Sequence, residues 1–351
     1  MKNIINLWSG SAELNPEQIP DNRDIQVQII QRPDEYRFLH DCMIEFFHGK
    51  LYTAWYNCPI GEMADRSVIR GRVSSDNGKS WGPIQMMAED PTDQFIYVPP
   101  AFGVCPVTDS LYLFASRMTG PDLVHDLDLF QLQESDGSWK FIRRITEPFL
   151  PNTQIQKLPN GKLIVGGRLS PVMDSYPEIP AVAISDSGKI DAPWRIVKIQ
   201  DKVKAPDGNN PLPETALLLD GMNITAFVRN NNGYPLMYES QDGGETWSEP
   251  LEHNLPAGSS KLAAGLLSNR QRYLICNIAG QQRNTLALFL SAPGEKTFSE
   301  VSLIRNGTDE ALQATPEWSY PAAIEYQNEL LIVCTSGKTS ATFIRYPLKN
   351  C

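Results

Sequence analysis

Residues Ser74 to Trp81 read SSDNGKSW, and residues Ser240 to Trp247 read SQDGGETW. In both, Ser, Asp, Gly and Trp stand at offsets zero, two, four and seven. Asp-Asn-Gly and Asp-Gly-Gly are hairpin-turn chemistry, because glycine takes positive φ and an Asp side chain accepts from nearby backbone N–H groups. Ser adds a second polar side chain to the turn. Trp, at the start of the returning strand, folds its ring over it. Each box therefore reads as a self-stapled β-hairpin, with its value in the fold rather than the chemistry.

Worn copies extend the pattern. SAPGEKTF (Ser291 to Phe298) keeps the first and last offsets, with Phe for Trp. ESDGSW ends at Trp139 and ISDSGKIDAPW at Trp194, so aromatic markers recur every 51 to 58 residues. A second signal runs in phase. Turns followed by apolar strands recur six times, as FFHGKLYTAWY, VTDSLYLFASR, LPNGKLIVGGR, LLDGMNITAFVR, SNRQRYLICNIA and YQNELLIVCTS. Each follows another apolar strand, such as HDCMIEF, ETALLL or YPAAIEY. A period near 50 built from short strands and tight turns predicts an all-β fold, a six-bladed β-propeller of four-stranded antiparallel blades, as a single domain over residues 1–351. No long stretch of 3.6 periodicity competes, so helices are expected to be few and short, one of them around Asp309 to Gln313. The N-terminal segment, IINLW or DIQVQIIQR, is expected to complete the last blade and close the ring.

The net charge is −10 and no basic run appears, which argues against nucleic acid as a partner. No stretch approaches the ~20 apolar residues of a membrane span. The first residues, MKNIINLWSG, have too short an apolar run for a signal-peptide core. A cytoplasmic protein, or a secreted or periplasmic one whose leader has been trimmed, is expected. The six cysteines form no C-x-x-C pair and have no His at metal spacing, so no metal or cofactor is expected. Cys42, Cys105, Cys276 and Cys334 lie inside apolar runs and read as buried free thiols. Nothing in the sequence sets an oligomeric state.

Propellers place ligands at the mouth of the central channel, so polar residues at the ends of inner strands and their neighbours are the candidates. Glu214 opens ETALLL and Arg229 ends ITAFVR in the next strand, so a tight antiparallel turn brings them to one blade edge. Arg283 precedes TLALFLS, Arg37 precedes the first inner strand, and Tyr320 heads the last one. The blade 1 loop between Tyr56 and Arg66 carries Glu62 and Asp65.

With these residues in place the chain resembles the sialidase (neuraminidase) superfamily. S-x-D-x-G-x-x-W is that family's Asp box, or BNR repeat, and the six-fold repeat extends the likeness over essentially the whole chain. The resemblance implies an exo-acting glycoside hydrolase that cleaves terminal sialic acid with retention. It implies Tyr320 as nucleophile, Glu214 as its base, Asp65 as acid/base, and Arg37, Arg229 and Arg283 as the cations that hold the substrate carboxylate. YRFL supplies Arg37 without the family's Ile-Pro. The chemistry is coherent. Guanidinium suits carboxylate recognition, and a neutral phenol escapes the repulsion a carboxylate nucleophile would meet. The stretch YRFLHD also puts His40 and Asp41 on the first inner strand, as an alternative base and an alternative acid/base. Two other readings therefore stand beside the sialidase: a glycosidase or lyase acting on another acidic, uronate-containing sugar, and a non-catalytic carbohydrate-binding propeller.

Overall fold

The computed structural model describes residues 4–348 except 12, 23, 122, 171–177, 201–211, 231–233, 279–281 and 308–316. Six antiparallel sheets follow one another along the chain and stand around one axis. Their first strands are Phe38–Phe47, Ile96–Cys105, a split pair Phe149–Pro151 and Gln156–Lys157, Thr215–Asp220, Ala263–Leu266 and Trp318–Tyr326. These innermost strands pack on one another around the channel. The expected six-bladed propeller is the fold. The fourth blade shows a three-stranded ladder, with a bridge from Met237 to Leu251 where an outermost strand would lie.

The strands are apolar on both faces because each blade is sandwiched between two others. Leu51, Ala54, Trp55, Leu163, Ile164, Val165, Leu331, Ile332 and Val333 are all essentially inaccessible. The core is accordingly divided into clusters between neighbouring blades. One of these, between blades 4 and 5, also takes in Leu7 and Trp8. Burying side chains of this size stabilises by about 1.5–3 kcal/mol each.

The ring closes where DIQVQIIQR predicted. Gln26–Gln31 pairs with Ser340–Pro347 as the outermost strand of blade 6, from Gln26↔Arg345 to Gln31↔Ala341. IINLW instead leans on the end of blade 4 through Ile5↔His253 and on blade 5 through Trp8↔Phe298. The helix expected at Asp309 to Gln313 lies outside the described residues. The described residues hold one 3-10 turn, Pro16–Gln18, and no helix long and apolar enough to cross a membrane. Cys42, Cys105, Cys276 and Cys334 are buried free thiols as expected, and Cys58 joins them.

Candidate active site

Three inner strands break their alternation at one height of the channel. In blade 1 the register jumps from His40↔Tyr56 to Met43↔Ala54. In blade 2 it jumps from Tyr97↔Arg117 to Pro100↔Ala115, and in blade 6 from Ser319↔Thr335 to Ala322↔Val333. In each case two residues stand opposite one, which is a β-bulge, and the extra residue re-aims a side chain. Asp41 and Tyr320 occupy matching bulge positions, both with φ +56. Left-handed backbone at non-glycine residues costs on the order of 1–3 kcal/mol and persists where surrounding structure enforces it, often at functional sites. The bulges put Asp41 and Tyr320 on the wall of one cavity, together with His40, Arg168, Glu178 and Glu214.

Tyr320, Glu214 and Arg229 form a closed triangle of hydrogen bonds. Tyr320 Oη donates to Glu214 Oε1. Arg229 Nη1 donates to Glu214 Oε2 at 3.0 Å and to Tyr320 Oη at 3.0 Å. Local backbone sets this up. Glu214 stands just before Thr215–Asp220 and Arg229 just after Asn223–Val228, and the Arg229 N–H bonds the Glu214 carbonyl at 2.9 Å. Burial, then the Glu214 charge, pushes the Tyr320 phenol well above its usual range. Burial also acts to raise Glu214, but the charges of Arg229 and Arg168 and the bonds from Tyr320 and Arg229 outweigh it and hold that carboxyl low. The resting proton therefore sits on Tyr320, aimed at a carboxylate able to receive it.

Around this triangle lie four more charged or polar groups. The His40 ring lies against Tyr320, tilted by 48° with centroids 4.0 Å apart, and its Nδ1 is 3.1 Å from Thr335 Oγ1. Burial, then the charges of Lys338, Arg283, Lys261 and Arg229, drives the His40 pKa well down, so the imidazole is neutral. Lys261 is buried, forms an ion pair with Asp41 and places Nζ 5.4 Å from the centre of the Tyr320 ring. Arg283 sits 5.4 Å from the same ring centre, with Nη1 3.2 Å from Glu317. Arg168 Nη1 is 2.9 Å from Glu178 Oε2 and 4.0 Å from Glu214 Oε1. The first of those contacts is misaligned for a hydrogen bond. Arg168 Nε and Nη1, Glu178 Oε2, Arg229 Nε and His40 Nε2 are buried and find no hydrogen-bond partner among the described residues. Buried polar atoms are rarely left unmet, and four of these five belong to residues on the wall of one cavity. No group of His, Cys, Asp and Glu among the described residues is arranged to hold a metal.

The structure thus brings Tyr320, Glu214, Arg229, Arg283, His40 and Asp41 together. It does not bring Arg37 or Asp65 to them. Arg37 precedes the first inner strand as an exposed residue, its N–H bonded to the Pro59 carbonyl at 3.2 Å. Asp65 sits in an exposed turn with φ +63 and lines a separate cavity with Tyr36, Arg66 and Phe95. Glu62, the other acid of that loop, reaches the central cavity, bonded by Tyr56 Oη at 3.1 Å and Lys338 at 2.7 Å. Sequence reasoning missed Arg168, Glu178 and Lys261. Arg168 was findable: it ends LIVGGR in blade 3 as Arg229 ends ITAFVR in blade 4. Glu178 and Lys261 stand outside regular repeat positions and carry no such signal.

Comparison with known proteins agrees with this architecture. Residues 49–333 match the family model described as a BNR repeat-like domain. No curated protein matches the chain in sequence. Among solved structures, a Hadza microbial sialidase, Hz136, superposes with TM-score 0.73 at 15% identity, over 90% of this chain and 66% of that one. The intramolecular trans-sialidase of Ruminococcus gnavus, solved with oseltamivir carboxylate, gives 0.68 at 12% identity, over 92% of this chain and 97% of that one. A protein of unknown function from Dyadobacter fermentans gives 0.71 at 13%, over 93% and 100%. Identities this low speak for the fold alone. With most of its length matched by the family model and its six blades superposing on sialidase propellers, the chain belongs to the BNR repeat-like family.

Proposed function

We propose that the protein is a retaining, exo-acting glycoside hydrolase of sialidase type, with Tyr320 as nucleophile and a terminal acidic sugar, sialic acid first, as substrate. The observation that carries this is the Tyr320–Glu214–Arg229 triangle. A lectin has no use for a buried phenol aimed at a carboxylate. As Tyr320 Oη attacks the anomeric carbon, Glu214 takes its proton. Arg229 Nη1, already on Tyr320 Oη, steadies the charge that develops there, most of all when that oxygen later departs. A glycosyl-tyrosine intermediate follows, and attack of water on it restores the original anomeric configuration. The substrate's acid group is met by guanidinium groups converging from three blades: Arg229 and Arg283, and Arg168 from the cavity wall where Arg37 does not reach. Guanidinium pairs with carboxylate through parallel N–H bonds, a geometry ammonium lacks.

The test is hydrolysis of a fluorogenic aryl sialoside by the native protein and by Tyr320→Phe. Loss of turnover by ~10³ or more in a folded variant supports the nucleophile. No turnover by the native protein defeats the sialoside reading. One observation favours a second reading: the neutral imidazole of His40 against the Tyr320 ring suits proton abstraction from a uronate. Unsaturated sugar products from uronate-containing oligosaccharides, abolished in His40→Ala, would decide for it.

A further inference from the structure

Glycosyl transfer to Tyr320 needs a proton for the departing oxygen, and Glu214 is occupied with the phenol. The residue for this task must face the same cavity as Tyr320, be a carboxyl, and be held at a distance from the nucleophile. Asp65 meets only the second condition, since it is exposed and lines another cavity. Glu178 faces the cavity 2.9 Å from Arg168, but among the described residues no cation shared with the Tyr320 ring holds it beside the nucleophile. Glu62 faces it too, but both its oxygens are taken, by Tyr56 and Lys338.

We propose that Asp41 is the acid/base residue of this site and that Lys261 is the positioning residue that holds it. The proposal rests on the glycosidase reading given above. Three observations carry it. Asp41 lines the cavity with Tyr320 and Glu214. Its backbone is held at φ +56 by a bulge that mirrors the one presenting Tyr320, so two strained positions of the same kind stand on neighbouring inner strands at one cavity. And a single ammonium, Lys261 Nζ, grips the Asp41 carboxyl while standing 5.4 Å from the Tyr320 ring centre, which fixes the acid beside the nucleophile but not on it. Protonation supports the assignment. Burial pushes the Asp41 carboxyl up to about 6, against the pull of Lys261, and an acid/base works best with a pKa near the working pH.

The two half-reactions balance. In the first, the Asp41 O–H proton passes to the glycosidic oxygen as its bond to the anomeric carbon breaks, the Tyr320 Oη bond to that carbon forms, and Glu214 receives the phenolic proton. In the second, the Asp41 carboxylate takes a proton from water as the water oxygen bonds the anomeric carbon. The bond to Tyr320 Oη breaks, and Glu214 returns the proton to the phenolate.

Asp41→Asn and Asp65→Asn, each compared with native protein and Tyr320→Phe, test this on two sialosides, one with an activated aryl leaving group and one with an alkyl leaving group. Asp41→Asn should lose ~10²–10⁴ in turnover on the alkyl substrate and much less in the first step on the aryl one. Added azide should restore the aryl reaction and yield a glycosyl azide of retained configuration, because azide needs no general base. Asp65→Asn should stay within a few-fold of native. Lys261→Met serves as the second variant. With the cation gone, the limb of the pH–rate profile assigned to Asp41 should move to higher pH, a change that a purely structural lysine would not cause. Besides Lys261, the groups that face Asp41 in that titration are Glu214, Arg168, Tyr56, Cys42, His40 and Tyr320. An Asp41→Asn protein active on alkyl glycoside, beside an inactive Tyr320→Phe, overturns this proposal and leaves the nucleophile standing. So does equal loss on both substrates with no azide rescue. Absence of turnover by the native protein on both overturns the two readings together.

Discussion

The outer turns and the inner bulges of the blades are built on opposite rules. At the outer edge, Ser74 Oγ accepts from Gly78 N at 2.8 Å, and Asp76 accepts from the Ser80 N–H at 2.8 Å and the Ser80 hydroxyl at 2.6 Å. Blade 4 repeats it. Ser240 Oγ accepts from Gly244 N at 2.9 Å, and Asp242 accepts from the Thr246 N–H at 3.0 Å and the Thr246 hydroxyl at 2.6 Å. The Ser and Asp acceptors are met within eight residues, and positive φ falls on Asn77, Gly78, Gly243 and Gly244, residue types suited to turns. At the mouth, Asp41 and Tyr320 take positive φ inside strands, polar atoms go unmet, and partners lie far apart in sequence, as Asp41 and Lys261 do. Satisfied, local and repeated structure supports the ring. Strained, long-range and unique structure serves the ligand.

Variants can break or sharpen that contrast. The largest effect is expected from Arg229→Ala. It leaves Glu214 buried without its cation, so unfolding in urea should show a loss of roughly 3–5 kcal/mol, together with loss of turnover. Next is Asp41→Asn, compared with native protein across pH. Asp41 has its carboxyl raised to about 6 in the fold, so its ionisation opposes folding. The native protein should lose stability relative to the variant as pH rises from about 4 to about 6, with no further divergence above that. Glu214 has the opposite sign. Held below its usual range, it contributes stability that is complete above about 4.5 and fades on acidification, so Glu214→Gln should remove that dependence.

At the outer edge the effects are smaller and leave catalysis alone. Ser74→Ala strands the buried Gly78 N–H and should cost about 1–3 kcal/mol in urea unfolding, with kcat unchanged. Ser240→Ala should match it, since the geometry matches. Equal costs would confirm that the boxes are interchangeable staples, and a kcat effect from either would undo the contrast. The smallest is Asp76→Asn. Hydrogen bonds from Ser80 and Ser74 hold the exposed Asp76 carboxyl down at about 2. Its contribution is present above about 4 and lost as pH falls toward 2, so native and variant stabilities should converge only in that acid window.

The same contrast explains what could be read in the sequence. Ser, Asp, Gly and Trp at fixed offsets are local chemistry, and local chemistry survives in a string of letters. So does the pairing of Glu214 with Arg229, because a tight turn joins their strands. Tyr320 and Arg283 fell at strand heads, where repetition fixes position. The bulges did not show. Regular alternation would have turned only one of His40 and Asp41 inward, and the extra residue brings both to the cavity. Arg37 and Asp65 were placed by motif order, and order along the chain says nothing about which way a side chain in a loop will face. Lys261 meets Asp41 across 220 residues, a contact that no spacing rule could supply.

The strand that closes the ring also sets a timetable. Gln26–Gln31 leaves the ribosome long before its partner Ser340–Pro347, with five whole blades between them in sequence. At ordinary elongation speeds of about 5–20 residues per second, the early strand waits tens of seconds with its hydrogen-bonding edge unclaimed. Blades 1 to 5 can assemble in that interval, but blade 6 cannot be completed. Tyr320 belongs to that final blade, on the strand Trp318–Tyr326. During synthesis, the wall of the central cavity and the ring itself are therefore finished together.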